Sequence, residues 1–212
     1  MARRYIENNI DKYIHSLYGH EYRDFLYIYH SCQDKKEIQI SPRDGKIIKM
    51  LSQLIGANLI VEIGTFMGYS TAWLGSSLKN KHGKLFSFEK NTNYFKRALT
   101  NLHHLSFYPQ IHLINQKIEN NLHNILDHQS IDLLFIDGRK RDYSIYLDYC
   151  KPFIKIGGVV IIDNTLSTNN SYMNSEIVYL HKFNKKMSEN KEFETTIVPT
   201  SNGMTIGVKK KV

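Results

Sequence analysis

From residue 57 onward the chain alternates short apolar runs with helix-length amphipathic segments, and few folds accommodate that rhythm. Strands covered on both faces read as continuous apolar runs, so the alternation predicts a parallel sheet with helices on both sides. The expected strands are Leu59–Ile63, Lys84–Phe88, Ile111–Ile114, Ile131–Ile136 and Gly158–Ile162. Helices are expected between them near Ser70–Lys79, Thr92–His104, Ile118–Leu126 and Tyr143–Cys150. The rhythm then changes to a helix near Ser175–Ser188, a strand near Phe193–Val198, a turn at Ser201-Asn202-Gly203 and a strand at Met204–Val208. Asn-Gly between two β-rich runs is a hairpin signal, so the sheet should close with an antiparallel pair.

The expectation is a single α/β domain spanning residues 1–212: a Rossmann-like, seven-stranded, mostly parallel sheet with helices on both faces. Residues 1–56 read as a helical cap on a core of residues 57–212. Within the cap, Ser41 can cap a helix whose first position is Pro42, a favoured arrangement. Ile47, Ile48, Leu51, Leu54 and Ile55 follow at helical spacing and should face the sheet.

Composition excludes several classes. Apolar residues at 42% and charged residues at 23% are ordinary for a folded globular chain. No run approaches the roughly 18 apolar residues that span a bilayer, so no membrane association is expected. Met1–Ile10 carries Arg3 and Arg4 and then Glu7 and Asn8, which does not read as a signal peptide. Cys32 and Cys150 stand far apart, in no metal or redox spacing, and read as free thiols, consistent with a cytoplasmic protein. The net charge of +8 favours anionic partners, but the lysines are scattered, so a solvated surface is the preferred reading over nucleic-acid contact.

Chemistry concentrates where strands end. Val61-Glu62-Ile63-Gly64-Thr65-Phe66-Met67-Gly68-Tyr69-Ser70 runs from a strand through a glycine-bearing turn into a helix. Gly64 and Gly68 let the backbone approach a ligand, and the helix start offers N–H groups to a carboxylate. The spacing is not the G-x-G-x-x-G of dinucleotide sites, which disfavours a nicotinamide dehydrogenase. Glu89, directly after the second strand, can accept both hydroxyls of a ribose. The base of such a nucleoside would lie near Gln116, Lys117 and Ile118.

A second group is acidic. Asp137 ends the fourth strand, and Asp163 with Asn164 ends the fifth. Strand C-termini converge on the crevice of an open α/β sheet, so two carboxylates and an amide oxygen could meet there and hold magnesium or manganese. Lys140 can reach the same crevice and act as a base.

Together these residues resemble the metal-dependent O-methyltransferase family of class I fold that includes catechol and caffeoyl-coenzyme A methyltransferases and their bacterial relatives. The resemblance runs from Ile38 to Lys209 and includes Ile40-Ser41-Pro42 with Gly45, Tyr143, Gly157-Gly158 and Asn202-Gly203-Met204-Thr205. It implies S-adenosylmethionine as methyl donor and a divalent metal on Asp137, Asp163 and Asn164, with Lys140 and Asp137 catalytic. It also implies a cofactor pocket lined by Ile40, Glu62, Ser70, Glu89 and Asp137, and the motif adds Gly64, Gly68, Tyr69, Lys90, Gln116 and Ile118. Family members commonly carry glycine and a small residue where Gln116 and Ile118 stand, and a Leu-Trp stretch where Thr165 to Tyr172 is polar here.

The expected acceptor is a hydroxyl on a small phenolic or catechol-like molecule. A wobble hydroxyuridine of tRNA and a protein carboxylate are alternatives, and a cofactor-binding protein without turnover is the non-enzyme alternative, which the intact Asp137, Lys140, Asp163 and Asn164 set disfavours. Aromatics at Tyr13, Tyr18, Tyr22, Phe25, Tyr27 and Tyr29 read as a homodimer interface and pocket cap in preference to a base-stacking surface.

Overall fold

The computed structural model describes residues 12–14, 16–17, 25–31, 39–78, 82–166, 175–200 and 202–211. Tyr18, Tyr22, Cys32, Ser201 and the polar stretch 167–172 lie outside them. The helices α1 (Leu26–His30) and α2 (Pro42–Leu54) precede the sheet. Ser41 caps α2 as expected, its Oγ accepting from the Asp44 amide at 3.1 Å with Pro42 in the first turn.

The strands β1 (Leu59–Ile63), β2 (Lys84–Phe88), β3 (Ile111–Ile114), β4 (Ile131–Ile136), β5 (Ile154–Asp163), β6 (Phe193–Val198) and β7 (Met204–Lys209) form one sheet in the order β3-β2-β1-β4-β5-β7-β6. The first five are parallel, and β7 runs antiparallel to both β5 and β6. Helices α3 (Tyr69–Gly75), α4 (Thr92–Leu102), α5 (Leu122–Ile125), α6 (Tyr143–Cys150) and α7 (Ser175–Ser188) connect or follow them.

Side chains along each strand alternate between two cores. On β4, Leu134 and Ile136 join Val61, Ile63, Val160 and Ile162 beneath Tyr143, Leu147, Leu180 and Phe183. Leu133 and Phe135 point the other way, with Ile60, Val159 and Ile161, against Ile28, Ile48, Trp73 and Leu102. Both faces are dry over most of these strands, which is why they are mainly apolar. On the second face α2 crosses α3 closely: a methyl on Gly45 would lie 2.3 Å from the Trp73 indole nitrogen.

Several boundaries differ from those expected. β5 starts at Ile154, not Gly158: Ile131 pairs with Ile154 and Leu133 with Val159, so residues 155–157 loop outward in a bulge, with Gly157 at φ 80°. The bulge interrupts the apolar pattern and hides the strand's beginning. The helix expected to reach Lys79 ends at Gly75, where Ser76 and Ser77 hydroxyls donate back to the Trp73 and Leu74 carbonyls. The segment expected as one helix from Ile118 to Leu126 is a 3₁₀ turn at Ile118–Asn120 followed by α5, broken at Asn121, whose φ of −142° is not helical. Asparagine disfavours the helix interior.

The topology reverses between β1 and β4, which lie side by side while their continuations diverge. The Asp137 amide donates to the Ile63 carbonyl at 2.9 Å, and the Gly64 amide to Phe88 at 3.0 Å. Gly64 has φ 100°, and a methyl there would lie 2.0 Å from the Asp137 carbonyl oxygen. Gly64→Ala should therefore lower unfolding free energy by about 3 kcal/mol, measured by urea denaturation. An unchanged midpoint would show that the turn can relax.

Candidate active site

The turn between β1 and α3 rests on a buried carboxylate. Glu62 is fully enclosed and accepts from Ser70 Oγ at 2.5 Å, Thr71 Oγ1 at 2.6 Å and Ser87 Oγ at 2.5 Å. Burial pushes its acid up, while the three hydroxyls oppose that shift. The carboxylate thus ties α3 and β2 to β1.

One strand over, Glu89 follows β2 and accepts from the Phe66 amide at 2.9 Å and the Asn91 amide at 2.7 Å. It holds the Gly64 to Gly68 turn in place from the side. Asn91, not Glu89, caps α4, its Oδ1 accepting from the Asn93 and Tyr94 amides.

Above these groups opens a cavity of about 590 Å³, within the usual range for a small-molecule site. Its walls include Gly64, Glu89, Lys90, Gln116, Ile118 and Asp137, all expected from the sequence. Phe66, Tyr94, Ile145 and Tyr146 add apolar and aromatic surface, and Arg139, Arg141 and Lys117 add positive charge. A narrower pocket adjoins it through Gly64, Phe66 and Asp137, and is lined by Ile40, Thr65, Tyr69, Ser70 and Gln39.

Three expected positions stand elsewhere. Glu62 lies beneath the turn and lines neither space, because its carboxylate is committed to three hydroxyls. Gly68 packs on Leu102, where a methyl would come within 2.8 Å, and serves the start of α3. Lys140 opens a 3₁₀ turn and reaches Glu176 Oε2 at 3.3 Å. Its charge is nevertheless felt at Asp137 and Asp163, where it favours the ionised forms.

Gln39, Arg139 and Arg141 were not singled out from the sequence. Gln39 Nε2 donates to the Tyr29 carbonyl at 3.1 Å, while its Oε1 is buried without a hydrogen-bond partner among the described residues. Its place beside Ile40 in a motif was the available signal. The arginines lie on the turn after β4, and Asp142 draws both toward the cavity mouth at 3.4 and 3.7 Å.

The acidic residues at the ends of β4 and β5 do meet. Asn164 Nδ2 donates to Asp137 Oδ1 at 3.3 Å and to Asp163 Oδ2 at 2.9 Å. Asn164 adopts φ 57°, which asparagine tolerates, and Tyr143 fixes the strand end by donating to the Asp163 carbonyl at 2.9 Å. Burial, with a smaller contribution from Glu62, raises the Asp137 acid to about 7 against the opposing effects of Asn164 and Lys140. Burial and then Asp137 likewise push Asp163 well up.

Two buried carboxylates that repel each other form a site that a cation would stabilise. Among the described residues no three His, Cys, Asp or Glu side chains gather for a metal, so this set depends on the Asn164 amide as third donor. Turning that amide end over presents its oxygen in place of its nitrogen. Two carboxylates and an amide oxygen then fit a hard divalent ion such as magnesium or manganese.

A seven-stranded sheet in this order, with an antiparallel seventh strand and a cavity at the β1/β4 reversal, is the class I methyltransferase fold. A family model described as O-methyltransferase matches residues 14–210, and the chain belongs to that family. The enzyme class is the one expected from the sequence, the S-adenosylmethionine-dependent O-methyltransferases. The chain is 26% identical over 218 residues to a catechol O-methyltransferase of Niastella koreensis, covering 97% of this chain and 98% of that one. It is 26% identical over 184 residues to caffeoyl-CoA O-methyltransferase 1 of Nicotiana tabacum, covering 78% and 75%. The O-methyltransferase of Bacillus cereus, solved in complex with SAH, superposes with a TM-score of 0.82 at 22% identity over 95% of this chain and 97% of that one. Among the described residues no helix is long and apolar enough to cross a membrane.

Glu62→Leu should strand three buried hydroxyls and lower stability by about 2–4 kcal/mol in urea denaturation. A loss below about 0.5 kcal/mol would show that the hydroxyls find other partners.

Proposed function

We propose that the chain moves the methyl group of S-adenosylmethionine to an acceptor hydroxyl held beside Asp137, Asp163 and Asn164, with a divalent cation bound by those three residues. The observation that carries the proposal is the position of Asp137, which lines the large cavity and the narrow pocket while contacting Asn164 of the acidic set. Cofactor and acceptor would therefore meet at one carboxylate.

In this reading the amino-acid end of the cofactor occupies the narrow pocket. Gln39 Oε1, buried and unpartnered among the described residues, supplies an acceptor for its ammonium group. Glu89 accepts the ribose hydroxyls with lone pairs that its two backbone amides leave open. The purine then lies between the apolar walls at Ile118, Ile145 and Tyr146.

Methyl transfer from a sulfonium needs little acid help, because the sulfur leaves as a neutral thioether. The protein's task is to make the acceptor oxygen anionic and hold it in line with the methyl group. A divalent cation, when bound, would lower the pKa of the acceptor hydroxyl and orient it. Lys140, once it has left Glu176 and given up its own proton to solvent, takes the acceptor's proton on its neutral Nζ, and the oxyanion attacks the methyl carbon as the carbon–sulfur bond breaks.

The names of the relatives favour a catechol-like or other phenolic acceptor. A second reading draws on Lys90, Lys117, Arg139 and Arg141 at the large cavity, which suit an acceptor carrying phosphates, such as a tRNA hydroxyuridine. Nucleoside mass spectrometry of tRNA from a deletion strain distinguishes the two: a missing methoxyuridine selects tRNA, and an unchanged profile selects the small phenol.

Glu89→Ala should weaken calorimetric binding of S-adenosylmethionine by about 1–3 kcal/mol. Lys140→Met should lower methyl transfer about 10²- to 10⁴-fold and leave cofactor affinity nearly unchanged. Chelator should abolish transfer and spare cofactor binding. Near-normal turnover of the lysine variant across pH, or full activity in excess chelator, would remove the corresponding group from the mechanism.

A further inference from the structure

The carbonyls on either side of Asn164 are each held by a side chain from a neighbouring helix. The Tyr143 hydroxyl donates to the Asp163 carbonyl at 2.9 Å, and the Tyr143 ring packs edge-on against Phe183 of α7, centroids 5.5 Å apart. The next residue of α7, Asn184, donates from Nδ2 to the Thr165 carbonyl at 2.8 Å. Thr165 is fully enclosed and is held twice more. Its amide donates to the Gly203 carbonyl at 3.1 Å, and its Oγ1 accepts from Thr205 Oγ1 at 2.9 Å.

These ties matter because of the backbone between them. Asn164 stands at φ 57°, a left-handed conformation that a non-glycine residue keeps where its surroundings over-determine it. Its side chain bridges Asp137 and Asp163, so the direction of its Cα–Cβ bond decides whether the amide reaches both carboxylates. Asparagine is an unfavourable choice at position 184 for packing alone. A carbonyl only accepts, so the amide nitrogen must face Thr165 and the oxygen is turned the other way. That Oδ1 is shut off from solvent and has no hydrogen-bond partner among the described residues. A buried acceptor left unpaired is destabilising, and an apolar side chain of similar size would avoid it. What asparagine adds here is the donor to Thr165.

We propose that Asn184 is a positioning residue for the cation site: by holding the Thr165 carbonyl it fixes the backbone of Asn164 and aims the amide that joins Asp137 and Asp163. The assignment rests on the cation reading above. Asn184 acts through Asn164 and not on the cation itself, as groups behind a metal ligand set that ligand's orientation. It also makes the docking of α7 a condition for a complete cation site, since Phe183 and Asn184 together brace both sides of Asn164.

The test is calorimetric titration of the full chain with Mn²⁺ alone and, separately, with S-adenosylhomocysteine. Asn184→Leu removes the donor at similar volume and should weaken Mn²⁺ binding about 10- to 100-fold, with S-adenosylhomocysteine affinity kept within about threefold. Its urea midpoint should stay close to that of wild type, because the unpaired Oδ1 leaves with the donor. Asn184→Ser, which cannot overpack and is too short to reach Thr165, should show the same selective loss. In an Asn164→Gly background the amide is gone and positive φ is unstrained, so Asn184→Leu should cost less than about twofold further. Unchanged Mn²⁺ binding in both variants, an equal loss in the Asn164→Gly background, or a parallel loss of Mn²⁺ and S-adenosylhomocysteine would overturn the role of Asn184 while leaving the cation site standing. Failure of wild type to bind Mn²⁺ would overturn the cation reading and this assignment with it.

Discussion

The exits of β1 and β4 are held against each other, and the site depends on that contact. The Asp137 amide bonds to the Ile63 carbonyl, and its own carbonyl sits where any side chain on residue 64 would have to go. Gly64 lets the chain turn away under that oxygen, which opens the cavity on one side and leaves Asp137 facing it from the other. The parallel ladder brings Glu89 and Asp163 to the same edge, since Ile63 pairs with Phe88 and Ile136 with both Ile63 and Ile162. Position at the site is thus a consequence of strand register, with the side chains added to an edge that the backbone has already aligned.

Three carboxylates near that edge, Glu62 and Asp163 buried and Asp137 half-buried, are treated differently. Glu62 is surrounded by hydroxyl donors and works as a structural tie between β1, β2 and α3. Asp137 and Asp163 share the Asn164 side-chain amide as donor, and burial, helped by Glu62 for the first and by Asp137 for the second, pushes their acids up. A satisfied buried carboxylate rigidifies its surroundings, whereas an unsatisfied pair is a place where binding energy can be recovered. The contrast separates support from chemistry among residues of the same type, and it moves Glu62 from the pocket wall to the frame beneath it.

Much of this was legible in the chain. Four strand boundaries in the parallel half follow directly from apolar runs, because strands packed on both faces are mainly apolar, with only Glu62, Lys84, Ser87, His112 and Asp132 interrupting the four. The Asn202-Gly203 turn marks the antiparallel ending through the local demand for positive φ, which Gly203 meets at 74°. Failures came where local pattern and pairing disagree. The bulge at residues 155–157 hides the first turn of β5, and serine hydroxyls at 76 and 77 stop α3 early. Gln39 was missed because its place beside Ile40 in the motif gives it no role until the fold closes a pocket over it.

The sequence by itself determined the order of elements, the sheet's antiparallel ending and the family, because these follow from periodicity, turn chemistry and motif residues next to one another in the chain. Only the tertiary structure decided which acids are paired. Glu62, Glu89, Glu119, Asp137 and Asp163 are all acids, and the donors around them differ: hydroxyls for the first, backbone amides for the second, the Asn164 side-chain amide for the last two, and for Glu119 Oε2 no donor among the described residues. Hydrogen bonding and burial are properties of the packed neighbourhood, and that neighbourhood is assembled from segments as far apart as 27 residues for Asp137 and Asn164, a separation over which no local pattern in the chain extends.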